Sequence, residues 1–236
     1  MEFPDPLIPG RLIKRYKRFL ADVEIEGGEI VTAHCANSGS MLNVKEPGSE
    51  VWLSPARNPN RKLRYTWELI KINNTLVGIN TSLPNSIVEE AIVARKIPEL
   101  KGYTSLRREV KYGKNSRIDI LLEEPSLPKC YVEVKNVTLK RGLGETNLVE
   151  FPDSVTTRGA KHLAELSDMI AQGYRSVMLY LVQRQDGDAF AIAADIDPAY
   201  KAALDKAIGT GVEILCYECS IDTRKIEVSK SLKLLM

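Results

Sequence analysis

Asp119, Glu133 and Lys135 are the three side chains whose types and spacing could do chemistry. Asp119 lies in Ser-Arg-Ile-Asp-Ile-Leu-Leu (116–122), and the other two lie in Cys-Tyr-Val-Glu-Val-Lys-Asn-Val-Thr (130–138). Each stretch is rich in β-branched residues. Gly113 and Asn115 precede the first, and Pro125, Ser126 and Pro128 separate the two, which is the signature of a β-hairpin. If Leu122 faces Cys130 across a loop of residues 123–129, Asp119 falls opposite Glu133, and Glu133 shares a face with Lys135. Two like charges directly opposite destabilise a sheet, so something positive belongs between them. Lys135 is one candidate. A divalent cation is the other, since Mg²⁺ is commonly held by one or two carboxylates. The alternative, two polar residues on a solvated face, sits poorly with Ile118, Ile120, Leu121, Leu122, Val132 and Val134, which are apolar on both phases as in a strand covered on both sides.

Asp119 followed by Glu133-Val134-Lys135 resembles the PD-(D/E)xK nuclease motif, with Ile118 where that motif carries proline. Over nearly its whole length the chain resembles the SfsA (sugar fermentation stimulation protein) family. The stretches that carry the resemblance are RYKRFLADV (15–23), HCANSGSM (34–41), TWEL (66–69), EVKYG (109–113), SRID (116–119), YVEVK (131–135) and FPDSVTTRGAKHL (151–163). The resemblance implies an OB-fold-like first domain, a PD-(D/E)xK nuclease-like second domain, and DNA binding without strong sequence preference. It further implies Mg²⁺ or Mn²⁺ held by Asp119 and Glu133 with help from the Val134 carbonyl, and approached by Glu90 from the domain's first helix. Lys135 would orient a water or stabilise transition-state charge. The other function in view is a DNA platform without catalysis, a regulatory factor linked to sugar (maltose) metabolism.

The chain has 236 residues, 44% of them hydrophobic, enough for one large or two small cores. Its 33 basic and 31 acidic residues give a net charge of +2, so any affinity for nucleic acid must come from local clusters. The sequence has no apolar run near the roughly 18 residues of a membrane span, and its start is charged and proline-rich, so a cytoplasmic location without membrane contact is expected. Four cysteines fit reduced thiols. Cys216 and Cys219 have a redox or half-zinc spacing, but with no second such pair and only His34 and His162, they read as small strand residues.

Two stretches are basic and free of acids. Arg11, Lys14, Arg15, Lys17 and Arg18 are interleaved with Tyr16 and Phe19; Arg57, Arg61, Lys62 and Arg64 precede Tyr65 and Trp67. Mixed cations and rings suit a groove that follows a phosphate backbone while bases stack. Candidate DNA contacts here are Arg15, Lys17, Arg18, Arg61, Lys62, Arg64 and Trp67. Short alternating runs at 21–26, 29–35, 50–54, 66–72 and 76–80 predict a small Greek-key barrel of the OB type. Asn37-Ser-Gly-Ser40 is a polar turn whose backbone donors could hold a phosphate. Leu83-Pro84-Asn85 marks a boundary between domains 1–82 and 83–236. A helix capped by Asn85 or Ser86 follows, then a strand over 106–113 leading to the hairpin, with Arg107, Arg108, Lys111, Lys114 and Arg117 along it as cations that could meet DNA phosphate beside the metal. Residues 140–150 read as a flap. A helix over 155–172, started by Asp153 or Ser154, carries Arg158, Lys161 and His162 near an N-terminus that favours anions. The remaining alternation of strands and helices predicts an α/β domain with a mixed central sheet.

Overall fold

Short strands that alternate inward and outward side chains can bury only one face, and the first part of the chain closes on itself to do so. In the computed structural model, which describes residues 1–113, 116–142 and 147–235, six strands form the first sheet. They are β1 (Ile8–Tyr16), β2 (Leu20–Ile25), β3 (Ile30–His34), β4 (Glu50–Pro55), β5 (Tyr65–Ile72) and β6 (Thr75–Gly78), in the order β3-β2-β1-β4-β5-β6. Parallel pairing of β3 with β5 (Ala33↔Tyr65, His34↔Thr66) closes the first five into a barrel. Leu12, Val23, Val51, Leu53, Trp67 and Ile70 fill its core.

The remaining elements are helix α1 (Pro84–Val93), strands β7 (Ser105–Tyr112), β8 (Ser116–Glu124), β9 (Leu127–Val137), β10 (Leu139–Lys140) and β11 (Leu148–Phe151), helix α2 (Thr157–Ala171), strands β12 (Arg175–Val182) and β13 (Ala189–Ile192), helix α3 (Pro198–Thr210), and strands β14 (Glu213–Ile221), β15 (Ile226–Ser231) and β16 (Lys233–Leu235). The main sheet runs β15-β14-β12-β9-β8-β7, parallel at β14-β12-β9 and antiparallel elsewhere; β10-β11-β13-β16 form a smaller sheet. Ile87, Val88 and Ala91 of α1 pack on one face of the main sheet against Ile120, Val132 and Leu179. Leu163, Leu166 and Leu204, from α2 and α3, cover the other against Ile118, Met178 and Tyr180. The hairpin strands are therefore apolar on both phases because helices cover both faces.

Several expected boundaries move. The cationic stretch from Arg11 is itself the strand β1, with Leu12 as its deeply buried residue. Pro84 is the first residue of α1, and Leu83 precedes it with no side-chain cap. Thr156, not Asp153 or Ser154, caps α2, its Oγ1 accepting from Gly159 N at 3.1 Å. The flap expected over 140–150 falls partly on residues 143–146, outside those described, while β11 takes its end. Cys216 and Cys219 are buried free thiols. The first residues reach past the barrel: Phe3 N donates to Arg224 O at 2.8 Å, Ile226 N donates to Met1 O at 2.9 Å, and Leu7 joins the core beneath α1. Among the described residues no helix is long and apolar enough to cross a membrane.

Trp67 is not available to a DNA base. It is fully buried, and its indole N–H is spent on Leu69 O at 2.9 Å. Truncation to alanine leaves a cavity where the largest fully buried side chain stood, so Trp67→Ala should cost about 3–5 kcal/mol of stability. Urea denaturation checks this; a variant as stable as wild type but weakened in binding single strands would return Trp67 to the surface.

Candidate metal centre and nucleic-acid interface

The hairpin register is the one the turn residues predict, Leu122 opposite Cys130 and Ile120 opposite Val132. Regular pairing stops there, because Asp119 replaces it: its Oδ2 accepts the backbone N–H of Val134 at 2.8 Å. On the other side of β8 the β7 register skips Glu109, which has φ 54° between the pairs Arg108↔Ile120 and Val110↔Ile118. A non-glycine residue in the left-handed region within a strand is strained, and such strain tends to gather at functional sites. The sheet thus opens on both sides of Asp119.

Asp119 Oδ1 accepts from Asn85 Nδ2 at 2.8 Å, which ties the carboxylate to the start of α1. Burial, then the charge of Glu133, pushes the Asp119 carboxyl above the usual range despite these two donors. Glu133, 2% exposed, gives one oxygen to two partners: Oε1 accepts from Lys135 Nζ at 2.6 Å and contacts His162 Nδ1. Its other oxygen, Oε2, is buried with no partner among the described residues. Burial alone would raise the Glu133 carboxyl, but the His162 hydrogen bond and the Lys135 charge outweigh it and hold it below the usual range.

His162 reaches this site because α2 packs over β9 with Leu163 and Leu166 inward. Arg158, one turn earlier, donates from Nε to His162 Nε2 at 3.3 Å. Arginine is always a donor, so Nε2 accepts, and a neutral imidazole then carries its proton on Nδ1 and donates to Glu133. Arg158–His162–Glu133 is thereby a line of oriented groups ending on the carboxylate.

The residues fit a hard cation. A buried carboxylate oxygen without a donor is costly unless a ligand supplies the missing partner. Asp119 is near enough for the Glu133 charge to act on it, and its carboxylate has lone pairs to spare. Among the described residues no group of three or more His, Cys, Asp and Glu converges to hold a metal, so a cation here would take its remaining ligands from water, backbone and substrate. That suits Mg²⁺ or Mn²⁺, which keep several waters, and does not suit a structural zinc, which needs four protein ligands.

Other expected contributors fall in three places. Glu90 is not at the site: its carboxylate is 56% exposed and meets the Met1 ammonium at 2.6 Å. With Ile87, Val88 and Ala91 turned to the core, the α1 residue that reaches Asp119 is Asn85, five positions earlier and on another face of the helix. Arg117 shares the strand face of Asp119 and is exposed. Lys161 is exposed beside Glu165 at 3.7 Å. Arg15 turns inward, its guanidinium donating to the carbonyls of Arg18, Asn37 and Gly39 at 2.9, 2.9 and 3.1 Å.

The two basic stretches meet at one end of the barrel. His34, the last residue of β3, pairs with Leu20 just after the turn carrying Lys17 and Arg18, and with Thr66 just after the loop carrying Arg61, Lys62 and Arg64. Arg61 Nη1 donates to Thr66 Oγ1 at 2.9 Å. Arg57 is spent on Asp5 and the Pro4 carbonyl. The turn at 37–40 holds an anion, but from within the chain: Asp153 Oδ2 accepts from Met41 N at 2.9 Å, and Asp153 O accepts from Ser40 Oγ at 2.7 Å. A Cβ at Gly39 would lie 3.0 Å from Asp153 Oδ2, so a side chain there would crowd the carboxylate. Asp153 leads into α2, which joins the basic end of the barrel to the carboxylate site.

Asn85 and His162 are the functional candidates that motif reading left in lesser roles. The i, i+4 spacing of Arg158 and His162 on one helix face was the available signal for the second.

A closed OB-like barrel followed by an α/β domain with a mixed central sheet and two carboxylates on its central hairpin defines the class. Comparison with known proteins supplies the family: residues 13–79 match the SfsA N-terminal OB domain and residues 82–225 match the sugar fermentation stimulation protein RE domain. The chain belongs to the sugar fermentation stimulation (SfsA) family. It is 60% identical to a sugar fermentation stimulation protein homolog of Rhodospirillum rubrum over 243 residues, covering 100% of this chain and 99% of that one. The homolog of Rhodospirillum centenum is 58% identical over 234 residues, covering 99% of each. Among solved structures, that of Pyrococcus furiosus SfsA in complex with Ca²⁺ superposes with a TM-score of 0.89 at 26% identity, covering 100% of this chain and 98% of that one.

Proposed function

We propose that the protein binds DNA without strong sequence preference and hydrolyses its phosphodiester bonds with Mg²⁺ or Mn²⁺ at Asp119, Glu133 and Lys135. The observation that carries this is Glu133, with Oε1 fixed by Lys135 and His162, Oε2 buried without a donor among the described residues, and a charge that acts on the Asp119 carboxylate. The Ca²⁺ bound by the Pyrococcus furiosus protein, another hard divalent ion, is in keeping with it.

A bound cation would polarise the scissile phosphoryl oxygen and lower the pKa of a coordinated water. Asp119 and Glu133 are the residues to hold it. Lys135, with Nζ 2.6 Å from Glu133, would orient the attacking water and offset charge that builds on the phosphate. Arg117, Arg158 and Lys161 supply cations at the hairpin and at the start of α2, where the helix N-terminus also favours a phosphate. The basic end of the barrel extends this positive surface away from the cleavage point.

If the contacts are to phosphates, affinity measured in EDTA should fall steeply with salt, log K declining with log salt by about 0.7 per contact on single strands and about 0.9 on duplex. A filter-binding series reads the slope, and the same preparations incubated with labelled strands and plasmid in Mg²⁺ or Mn²⁺ read scission. A flat salt response, or no binding at low salt, removes the DNA reading. Steep binding with no scission under either metal leaves a non-catalytic DNA-binding factor.

A further inference from the structure

Phe19 is 49% exposed at the tip of the β1–β2 hairpin. The tip is tightly held. Phe19 N donates to Lys17 O at 2.7 Å, and both Lys17 (φ 49°) and Arg18 (φ 62°) are in the left-handed region, a conformation that costs non-glycine residues free energy and persists only where the surroundings impose it. Those surroundings are visible: Cys35 N donates to Phe19 O at 2.8 Å, and the Arg15 guanidinium ties Arg18 O to the carbonyls of Asn37 and Gly39. Through Ser40 and Met41 the same turn is fastened to Asp153, at the approach to α2. The backbone that carries the ring is therefore tied to the approach to α2 as well as to the barrel.

The side chains around the ring select its partner. Lys17 and Arg18 are exposed and, among the described residues, make no side-chain hydrogen bond or ion pair. The nearest acid in sequence, Asp22, is already engaged by Tyr16 Oη and Thr32 Oγ1 at 2.9 Å each and by Lys14 at 3.6 Å. Tyr16 cannot serve in place of Phe19, because its hydroxyl is committed to Asp22 and Lys14 Nζ lies 5.3 Å from its ring centroid. A lone apolar ring would need no explanation. One presented on a tightly held tip beside two unpaired cations fits a ligand that alternates a flat apolar surface with negative charge.

We infer that Phe19 is a stacking platform for an unpaired base of the bound strand, with Lys17 and Arg18 on the adjoining phosphates. The inference rests on the DNA reading above and narrows it to single-stranded or locally opened DNA. Rigidity matters because a platform ordered before binding loses less conformational freedom when the base arrives.

The test uses the full chain in EDTA with labelled oligo(dT) and a blunt duplex of the same length. Phe19→Ala should weaken oligo(dT) binding roughly 5- to 100-fold, with the salt slope unchanged because no phosphate contact is lost. Lys17→Ala should instead lower the slope by about 0.7. Phe19→Trp should retain affinity and lose emission when oligo(dT) binds, a readout that a merely structural role would not give. Undiminished oligo(dT) binding by Phe19→Ala, or unchanged Phe19→Trp emission at saturation, overturns the assignment and leaves the tip for a protein partner. Failure of the wild type to bind any DNA at low salt defeats the DNA reading itself, and this inference with it.

Discussion

Asp119→Asn should melt at a higher temperature than wild type without metal, and should lose the stabilisation that Mn²⁺ gives the wild type. The first effect follows from the sign of the Asp119 shift. Its folded-state pKa lies above the unfolded value, because of burial and then the Glu133 charge, so ionisation costs the folded state more than the unfolded one. Below about pH 3.9 both states hold the proton and the cost vanishes; it grows as pH rises through that value and levels off once the folded carboxyl has also ionised. The gain from Asp119→Asn should follow the same curve. Asparagine fits the position, since its carbonyl can accept from Val134 N while the Asn85 amide turns over to accept from its NH₂. With Mn²⁺ the order reverses. A ligand at a hundredfold excess over its Kd adds about 2.7 kcal/mol, several degrees for a chain of this size, and only the wild type retains both carboxylates to claim it. Thermal melts at several pH values, with EDTA and with Mn²⁺, check both halves. A wild type that Mn²⁺ fails to stabilise would remove the metal centre.

His162→Ala should weaken Mn²⁺ binding by about 10- to 100-fold, the usual cost of losing a group that orients a metal-ligating side chain. With His162 gone, Glu133 Oε1 keeps Lys135 alone, and nothing on α2 holds the carboxylate in its present orientation. His162→Asn separates orientation from bulk, because its amide N–H can stand where Nδ1–H stands and should recover most of the affinity. Calorimetric Mn²⁺ titration of the three proteins decides it. Equal affinity for wild type and His162→Ala would show that Glu133 needs no such support.

The hairpin was legible because its signals are local: turn formers bound two short β-branched runs, and a two-residue period carries Leu122 and Cys130 to opposite positions. The barrel was legible in outline for the same reason. β1 was not, because its cations hide a strand that is specified by pairing with β2 and β4 rather than by its own apolar residues. Glu90 shows the limit of analogy. Which α1 side chain faces the sheet depends on how Ile87, Val88 and Ala91 seat in the core, and that rotation selects Asn85. Trp67 fills the barrel core with Ile70 while Leu69 packs in the other core beneath α1, so simple alternation along β5 does not report which way the ring turns. The link from the 37–40 turn to Asp153 spans more than 100 residues of sequence, and no local pattern reports it.

Strand scission by wild type and Asp119→Asn, purified side by side and incubated with labelled DNA in Mn²⁺, tests the central claim most directly. The account predicts cleavage by the wild type, none by Asp119→Asn, and DNA affinity in EDTA that is equal or higher for the variant, because one carboxylate no longer repels the phosphate. Cleavage by Asp119→Asn at the wild-type rate would contradict it.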